Sequence, residues 1–353
     1  MAQYPSEIYT PRARENRSGV VYDAGKKTVW FKEDADAIEN EIIAIETDLE
    51  TNVKFDNTNY NVFLGKEVFK NAAGIQNIGI GYRAGYNNDI TGSGSEGDSN
   101  IYIGSWAGYG ATSGVKNTGY ENVAIGAYTL YYNTSGFQNI AIGLFAGMQN
   151  TEGQYNVAIG YAALQNNLVG TSNFALGSGA LYNNTSHGNV AIGRNALYSQ
   201  TTGWCNMGIG TFSLWYKQAG DYNVAIGIYA GYGSALHNKS YNTYIGAETG
   251  KIHHGSSCVF VGFRAGYRQT TNNNLLIIDN QDRGSAANEQ ANALIYGVFA
   301  AAAANQTLQF NASIFLPIIK VGATQAAAGA AANELWKTSG HATLPDNVVM
   351  IGV

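Results

Sequence analysis

The stretch Asn156-Val157-Ala158-Ile159-Gly160-Tyr161-Ala162-Ala163-Leu164 decides the fold, because it is one copy of a unit that recurs along most of the chain. The unit reads Asn-x-x-(Ile/Leu)-Gly, and its closing glycines are mostly 16 or 17 residues apart. Self-similarity at a fixed period indicates a repeat architecture. The asparagine and closing glycine of the copies are Asn61 and Gly65, Asn77 and Gly81, Asn100 and Gly104, Asn122 and Gly126, Asn139 and Gly143, Asn156 and Gly160, Asn173 and Gly177, Asn189 and Gly193, Asn206 and Gly210, Asn223 and Gly227, and Asn242 and Gly246, and a degenerate twelfth copy ends at Gly262.

Each copy predicts two short strands and two turns. β-branched Val and Ile favour the first strand, and Gly or Asn stands where the chain needs a positive φ. Twelve units stacked at about 4.8 Å would form a rod of about 55–60 Å. One unit cannot bury its own apolar face, so stacking must supply the core. We therefore predict an all-β, elongated β-roll or β-solenoid, or an interleaved triple β-structure, in a homotrimer.

Alternation along the first strand places Val157 and Ile159 on one face and Ala158 on the other. We interpret the Val/Ile face as the interior of the roll and the Ala/Gly row as a flat outer face, covered by another copy of the chain. The alternative is that this row simply faces solvent. The predicted trimer interface in the array is Ala124, Ala141, Ala158, Ala175, Ala191, Gly208 and Ala225.

The segment before the array predicts a short helix. Asp36 suits an N-cap with Glu39 three residues later, and Ile42, Ile45 and Leu49 continue a heptad-like seam. Isoleucine at core positions favours three or four strands in a coiled coil, which fits a trimer. The alternative is a single amphipathic helix packed on a globular neighbour. Residues 1–29 are polar and without periodicity, which indicates an extended anchor.

Composition excludes several classes of protein. Only 13% of the 353 residues are charged and the formal net charge is −5, which argues against a nucleic-acid-binding protein. Cys205 and Cys258 form neither a disulfide framework nor a zinc motif. The first residues have no signal-peptide pattern, and the longest apolar run, residues 293–304, is too short to cross a bilayer. We expect neither signal-dependent export nor a membrane anchor.

Titratable residues predict no catalytic or metal site. None of the five histidines stands in a metal-binding motif, and Glu121, Glu152, Asp221 and Glu248 occur singly in turns. We therefore expect no enzyme activity, no metal and no cofactor. One alternative stays open, which is a glycosidase-like pair of carboxylates formed between two chains.

Loop aromatics are the residues best suited to contact a ligand, because a ring with a polar edge can stack on a sugar or pack on a protein surface. Many of them stand at one fixed place in the repeat, so they could instead form a stacked structural ladder. Insertions at 87–99, 110–120 and 233–241 are further contact candidates. The predicted receptor-binding residues are Trp106, Tyr109, Trp204, Trp215 and Tyr232.

The repeated Asn-Val-Ala-Ile-Gly-x-x-Ala-Leu units with Asn-Thr-Ser-Gly turns resemble the head repeats of trimeric adhesins and of bacteriophage tail-fibre proteins. The resemblance covers residues 59–270, and with lower specificity residues 18–49 are similar to a virion-attachment region. It implies a homotrimeric β-structure that attaches to a host surface. The signal peptide and membrane barrel of trimeric autotransporter adhesins are not seen, and we expect no self-cleaving chaperone domain after Val353.

We therefore predict a structural fibre protein of a bacteriophage or phage-like particle that mediates adhesion without catalysis. Residues 1–29 would attach to other particle proteins, 30–56 form the coiled coil, 57–270 the array, and 271–353 a β-rich closing domain. The expected partners are two further copies of the chain, virion proteins and a host surface glycan or protein, and the expected location is the virion. Alternatives are a polysaccharide depolymerase tail spike and a cellular trimeric surface adhesin.

Overall fold

The computed structural model describes residues 53–56, 59–70, 74–88, 97–110, 116–216, 219–233 and 239–312, together with five strands nearer the termini. The strands are β1 (Val20–Asp23), β2 (Thr28–Phe31), β3 (Val53–Asp56), β4 (Asn61–Leu64), β5 (Ile78–Ile80), β6 (Ile101–Ile103), β7 (Val123–Ile125), β8 (Ile140–Ile142), β9 (Val157–Ile159), β10 (Phe174–Leu176), β11 (Val190–Ile192), β12 (Met207–Ile209), β13 (Val224–Ile226), β14 (Thr243–Ile245), β15 (Val259–Val261), β16 (Leu275–Ile278), β17 (Ile295–Val298), β18 (Thr307–Phe310), β19 (Lys320–Gly322), β20 (Leu335–Thr338) and β21 (Val349–Ile351). One α-helix, α1 (Ala286–Asn292), and a 3₁₀ turn, Ala303–Asn305, complete the described elements.

Strands β3 to β18 form one sixteen-stranded sheet in which every strand pairs with its neighbours in the sequence. Strands β4 to β16 are parallel, whereas β3 at one end and β17 and β18 at the other are antiparallel to their neighbours. Because each repeat adds one strand next to the previous one, a single chain winds into a β-solenoid. The all-β repeat prediction is confirmed, and the solenoid forms within the chain.

The second half of each repeat, which we call the turn segment, is not the predicted second strand. It is a run of turns in which alternate residues have a positive φ, such as Ala162 (55°) and Leu164 (50°). Its backbone still pairs with both neighbouring coils, since Ala162 N–H donates to Leu144 O (2.9 Å) and Leu164 N–H donates to Ala180 O (3.0 Å). Left-handed non-glycine residues cost about 1–2 kcal/mol each, so these stacking hydrogen bonds maintain the conformation.

The predicted inside and outside of the strands are reversed in the structure. The row predicted as the trimer interface is buried within the chain, where its alanines are at most 3% exposed and Gly208 is also buried. The valine and isoleucine side chains instead face outward and are partly exposed. The physical reason is that the turn segment crosses close behind the strand, so the side chain between them is enclosed, and it is small where the turn segment supplies a buried leucine such as Leu164. The residues that were predicted to contact another chain, and that are instead buried inside this one, are Ala124, Ala141, Ala158, Ala175, Ala191, Gly208 and Ala225.

Inside the solenoid, the middle residue of the strand and the fourth residue after the closing glycine share space with each other and with their counterparts in the adjacent coils. Where the strand has Ala158, the turn segment supplies the buried Leu164. In the first coil both positions have rings, Phe63 and Phe69, and Gly79 and Gly85 of the next coil leave room for Phe69. Where the strand has Tyr102, the turn segment has Gly108, because a Cβ there would overlap the ring. The same pairing recurs in Tyr244 with Gly250 and in Phe260 with Gly266.

The repeat asparagines form a continuous hydrogen-bonded ladder through the core. Each backbone N–H donates to the side-chain oxygen of the preceding asparagine, for example Asn156 to Asn139 (3.0 Å). Each closing glycine stacks against the next one, and Gly160 combines a φ of 132° with a position where a Cβ would lie 2.7 Å from the Gly177 carbonyl. The motif residues that make these contacts between coils include Asn122, Gly126, Asn139, Gly143, Asn156, Gly160, Asn189, Gly193, Asn223 and Gly227.

The segment before the repeat array, residues 30–56, is described only in part. The coiled-coil residues Ile42, Ile45 and Leu49 lie outside the described residues. Strand β3 lies within the segment assigned to the helix, and it extends the sheet before the first repeat. In the part of the chain that is described, no helix is long and apolar enough to cross a bilayer.

Candidate functional site

Outward residues of the turn segment form one surface, which we call the ladder face. It consists of two columns of residues, the second and the fifth residue after each closing glycine. The first column includes Trp106, Tyr128 and Phe145, and the second column includes Tyr109 and Tyr131. Since successive coils stack in register, side chains of the same column lie one above another. The ladder face carries two aromatic clusters.

The first cluster stacks the rings of Tyr86, Tyr109 and Tyr131. The ring centroids of Tyr86 and Tyr109 are 5.2 Å apart, and those of Tyr109 and Tyr131 are 5.0 Å apart. The rings of the second pair are almost parallel, with an interplanar angle of 7°. Trp106 packs beside this stack, 4.8 Å from Tyr109. The guanidinium of Arg83 lies 4.8 Å from the Trp106 ring, a cation–π distance. Burial raises the pKa of Tyr131 above its ordinary value.

The second cluster lies farther along the solenoid. Tyr182 stacks on Tyr198 with centroids 4.8 Å apart, and Trp215 lies 5.1 Å from Tyr232. Phe212 packs against Trp215 at 4.8 Å. Burial raises the pKa of Tyr232 to about 12. Between the two clusters, the same columns hold Met148, Gln165, Ala162 and Gly179, so the aromatic surface is interrupted at mid-array.

Both ends of the ladder face carry the same charged group. Glu67 accepts from Lys70 (2.8 Å) and from Arg83 on the next coil, which packs on Tyr86. At the other end, Glu248 accepts from Lys251 (2.8 Å) and Arg264 (2.5 Å), and Arg264 packs on Tyr267. Hydrogen bonds from the lysines, and then from the arginines, lower the pKa of both glutamates. Each group combines one carboxylate with two cations and so keeps a net positive charge, and the two groups frame the aromatic clusters.

The structure brings four of the five predicted receptor-binding residues together in pairs. Trp106 and Tyr109 belong to the first cluster, and Trp215 and Tyr232 belong to the second. Trp204 lies elsewhere, in the turn before β12, where its side chain is 55% exposed and its ring contacts His187. Because ring faces in the clusters cover one another, these residues form the stacked ladder that the fixed spacing had suggested, and mainly ring edges reach solvent. Parts of all three insertions lie outside the described residues.

Sequence reasoning missed a cleft beside the first cluster. Tyr132, Gln149, Thr151 and Leu168 line an open cavity of about 350 Å³. The Tyr132 ring stands almost perpendicular to Tyr131 (85°, 4.6 Å). The signal for this cleft is present in the sequence, because Leu168-Val169 replaces the polar pair that the neighbouring coils have at this turn.

Buried titratable groups cluster at the C-terminal end of the array. Cys258 takes the place of the ladder asparagine, and its thiol lies 3.7 Å from His253, which bonds to the Tyr244 hydroxyl (2.8 Å). Burial raises the pKa of the Cys258 thiol to about 11, so it stays protonated. Nearby, burial raises the pKa of Glu289 to about 7, while Arg268 holds the pKa of Asp282 at about 2.

Two nearby carboxyl groups, one with a raised and one with a lowered pKa, are typical of the acid–base pair of an enzyme. Glu289, however, is only 1% exposed, so a substrate cannot reach it in this structure. Its Oε1 instead accepts from the Arg268 backbone (3.2 Å), which fastens α1 to the last coil. Within the described ranges, no group of three or more His, Cys, Asp or Glu residues is arranged to hold a metal ion.

Comparison with known proteins identifies no relative. No protein-family model matches the chain, and no curated protein and no solved structure is significantly similar to it.

Proposed function

We propose that the chain is a structural fibre protein of a bacteriophage or phage-like particle, that it acts as a homotrimer, and that it attaches the particle to a host surface without catalysis. One observation carries the proposal, which is the outward face of the long parallel sheet. We call this surface the aliphatic stripe, made of the first and third residues of strands β5 to β15 together with the second and fourth residues of β4 and β16. Its position on a rigid solenoid supports assembly of several chains into a fibre.

The aliphatic stripe is too apolar and too extended to remain in water. Ile140, Leu176, Ile226 and Ile245 are 38–41% exposed in the single chain. At about 4.8 Å per strand the stripe is about 60 Å long. Parallel sheets are almost always covered on both faces, and contiguous apolar patches above a few hundred Å² mark interaction sites. Three flat stripes facing one axis would cover one another completely.

The ladder face supports the adhesive part of the proposal. It lies on the turn segments rather than on the sheet, so it stays exposed when the stripes pack together. Rings with polar edges and amides suit contact with surface polysaccharide or protein. The attachment of the N-terminal segment to a particle rests on its resemblance alone.

The deciding experiment combines solution mass with cell binding. Light scattering is expected to give three times the 37.6 kDa chain mass, and a stable monomer would overturn the trimer. The fluorescently labelled chain is expected to bind some strains in a panel of bacteria and to release no reducing ends from their capsular polysaccharide. Release of reducing ends would replace adhesion by the depolymerase alternative, and binding to no strain would remove the adhesive role.

A further inference from the structure

The turn at Leu168 departs from a column that otherwise stabilises the solenoid. Threonines of this column donate their hydroxyls to the next coil, since Thr134 bonds to Thr151 O (2.9 Å), Thr151 to Leu168 O (2.7 Å) and Thr185 to Thr201 O (2.8 Å). Leucine cannot donate such a bond. Its side chain is instead 44% exposed, and the adjacent Val169 is 46% exposed. The fold loses a hydrogen bond here and exposes an aliphatic pair to solvent.

The other residues that line the same cleft combine an aromatic ring with polar groups. Tyr132 is oriented by its edge-to-face contact with Tyr131, so its position is fixed before any ligand arrives. Gln149 lines the cleft and donates its backbone N–H to Gln165 O (2.9 Å), so its side-chain amide is not needed for that bond between coils. The Thr151 oxygen can accept a further hydrogen bond while its proton is donated to Leu168 O.

We propose that this cleft binds one pyranose ring of a neutral surface polysaccharide, an inference that rests on the proposed adhesive function and names its ligand. A pyranose has an apolar C–H face and a rim of hydroxyls. Tyr132 and Leu168 offer the apolar walls for the C–H face, and Gln149 and Thr151 offer the donor and acceptors for the hydroxyls. The volume of about 350 Å³ lies at the lower end of the range for small-ligand sites.

Charge selects a neutral sugar over an acidic one. The four lining residues include no cation, and the nearest charged side chain in the sequence is the exposed carboxylate of Glu152, next to Thr151. A uronic or sialic acid would place its carboxylate near Glu152 without a lysine or arginine to balance it. Neutral hexoses and N-acetylhexosamines carry no such penalty.

The test is a titration of the full chain with the methyl glycosides of glucose, galactose, mannose, N-acetylglucosamine and N-acetylgalactosamine, followed by saturation-transfer NMR and calorimetry. Leu168→Thr restores the residue that Thr134, Thr151 and Thr185 show to be compatible with the fold. We expect L168T and Gln149→Ala each to weaken binding about tenfold or more. Leu144→Thr is the matched control, because Leu144 is similarly exposed (41%) and does not line the cleft, and it is expected to bind like the wild type.

Binding of no glycoside in the panel, or equal binding by L168T and the wild type, overturns the proposal. Cell binding separates this failure from failure of the proposed function. If wild type and L168T adhere to cells equally, and protease treatment of the cells removes adhesion, the receptor is a protein, and the cleft proposal fails while adhesion stands. If no strain is bound but glycosides bind the wild type and not L168T, the cleft proposal stands and the adhesive function fails.

Discussion

A single asparagine in the repeat connects three coils at once. Asn156 donates from its backbone N–H and from Nδ2 to Oδ1 of Asn139 (3.0 and 3.1 Å), and Nδ2 also donates to Gly170 O (2.8 Å). Its own Oδ1 accepts both corresponding bonds from Asn173. A carboxamide has two donor hydrogens and two acceptor lone pairs on one short side chain, and this bonding uses all of them. No other side chain of this size does so, which explains the strict repetition of asparagine.

Replacement of Asn156 by alanine is therefore expected to lower the free energy of unfolding by about 2–4 kcal/mol, because the Gly170 carbonyl and the Asn173 donors lose their buried partner. Asn156→Asp should lower it further, since a carboxylate oxygen would face the Gly170 carbonyl. Chemical denaturation followed by circular dichroism measures both changes. Asn166→Ala is the control, because Asn166 makes one partly buried side-chain bond, to Asn183. Equal losses for Asn156→Ala and Asn166→Ala would contradict the ladder.

At the scale of the element, the strand and the turn segment share internal space with each other and with the adjacent coils. In the coil with Ala158 and Leu164 the large side chain belongs to the turn segment, whereas in the coil with Tyr102 and Gly108 it belongs to the strand. Where both positions are small, at Ala141 and Gly147, a void of about 10 Å³ remains. The two positions behave as one unit because stacking hydrogen bonds prevent the segments from moving apart.

This coupling predicts strong non-additivity. Ala158→Phe alone overpacks the coil and Leu164→Gly alone empties it, and each is expected to cost about 2–4 kcal/mol of stability. The double variant recreates the ring–glycine pairing and should be more stable than the sum of the single effects by about 2 kcal/mol or more. A double-mutant cycle from denaturation curves gives this coupling energy. A coupling near zero would show that the two side chains do not share one space.

The closing helix α1 makes stability depend on pH through Glu289. Desolvation raises its pKa to about 7 from an ordinary value of 4.5, so the folded state holds this proton more tightly than the unfolded state. The contribution of Glu289 to the free energy of unfolding is therefore fully present below pH 4.5 and is lost as the pH rises through 7. Glu289→Gln should gain stability over the wild type by about 2–3 kcal/mol at pH 8 and change little at pH 4.

Thermal unfolding at pH 4 and pH 8 measures this difference. Glu248→Gln is the control, because Lys251 and Arg264 lower the pKa of Glu248. The contribution of Glu248 to the free energy of unfolding is present above pH 4.5 and is lost as the pH falls, so this variant should lose stability at pH 8. A pH-independent effect of Glu289→Gln would contradict the buried carboxyl.

For the whole molecule, the sequence was sufficient to predict the repeat and the β class, because these follow from period and local conformation. It did not show which strand face is inside, since alternation groups Val157 with Ile159 without orienting them. Orientation depends on how close the turn segment lies behind the strand, and that distance is set by left-handed residues such as Leu164. The pairing of ring with glycine in Tyr102 and Gly108 was a signal available in the sequence.

The reversed orientation moves the predicted contact between chains from the alanine row to the aliphatic stripe. Ile159 lies near the middle of this stripe, on β9, where three copies in a trimer would place their side chains around one axis. Ile159→Glu would bring three carboxylates into an apolar contact without partners, which is strongly unfavourable. We expect this variant to be a folded monomer of about 37.6 kDa by light scattering with an unchanged β spectrum.

The solenoid itself should tolerate the change, because the Ile159 side chain points away from the core of its own coil. Val169→Glu is the matched control, since it introduces the same charge at an exposed β-branched residue outside the stripe. It should leave the trimer mass unchanged, whereas a trimer that survives Ile159→Glu would show that the chains associate through another surface. The comparison thus tests whether the face that the single chain leaves uncovered is the face that holds the fibre together.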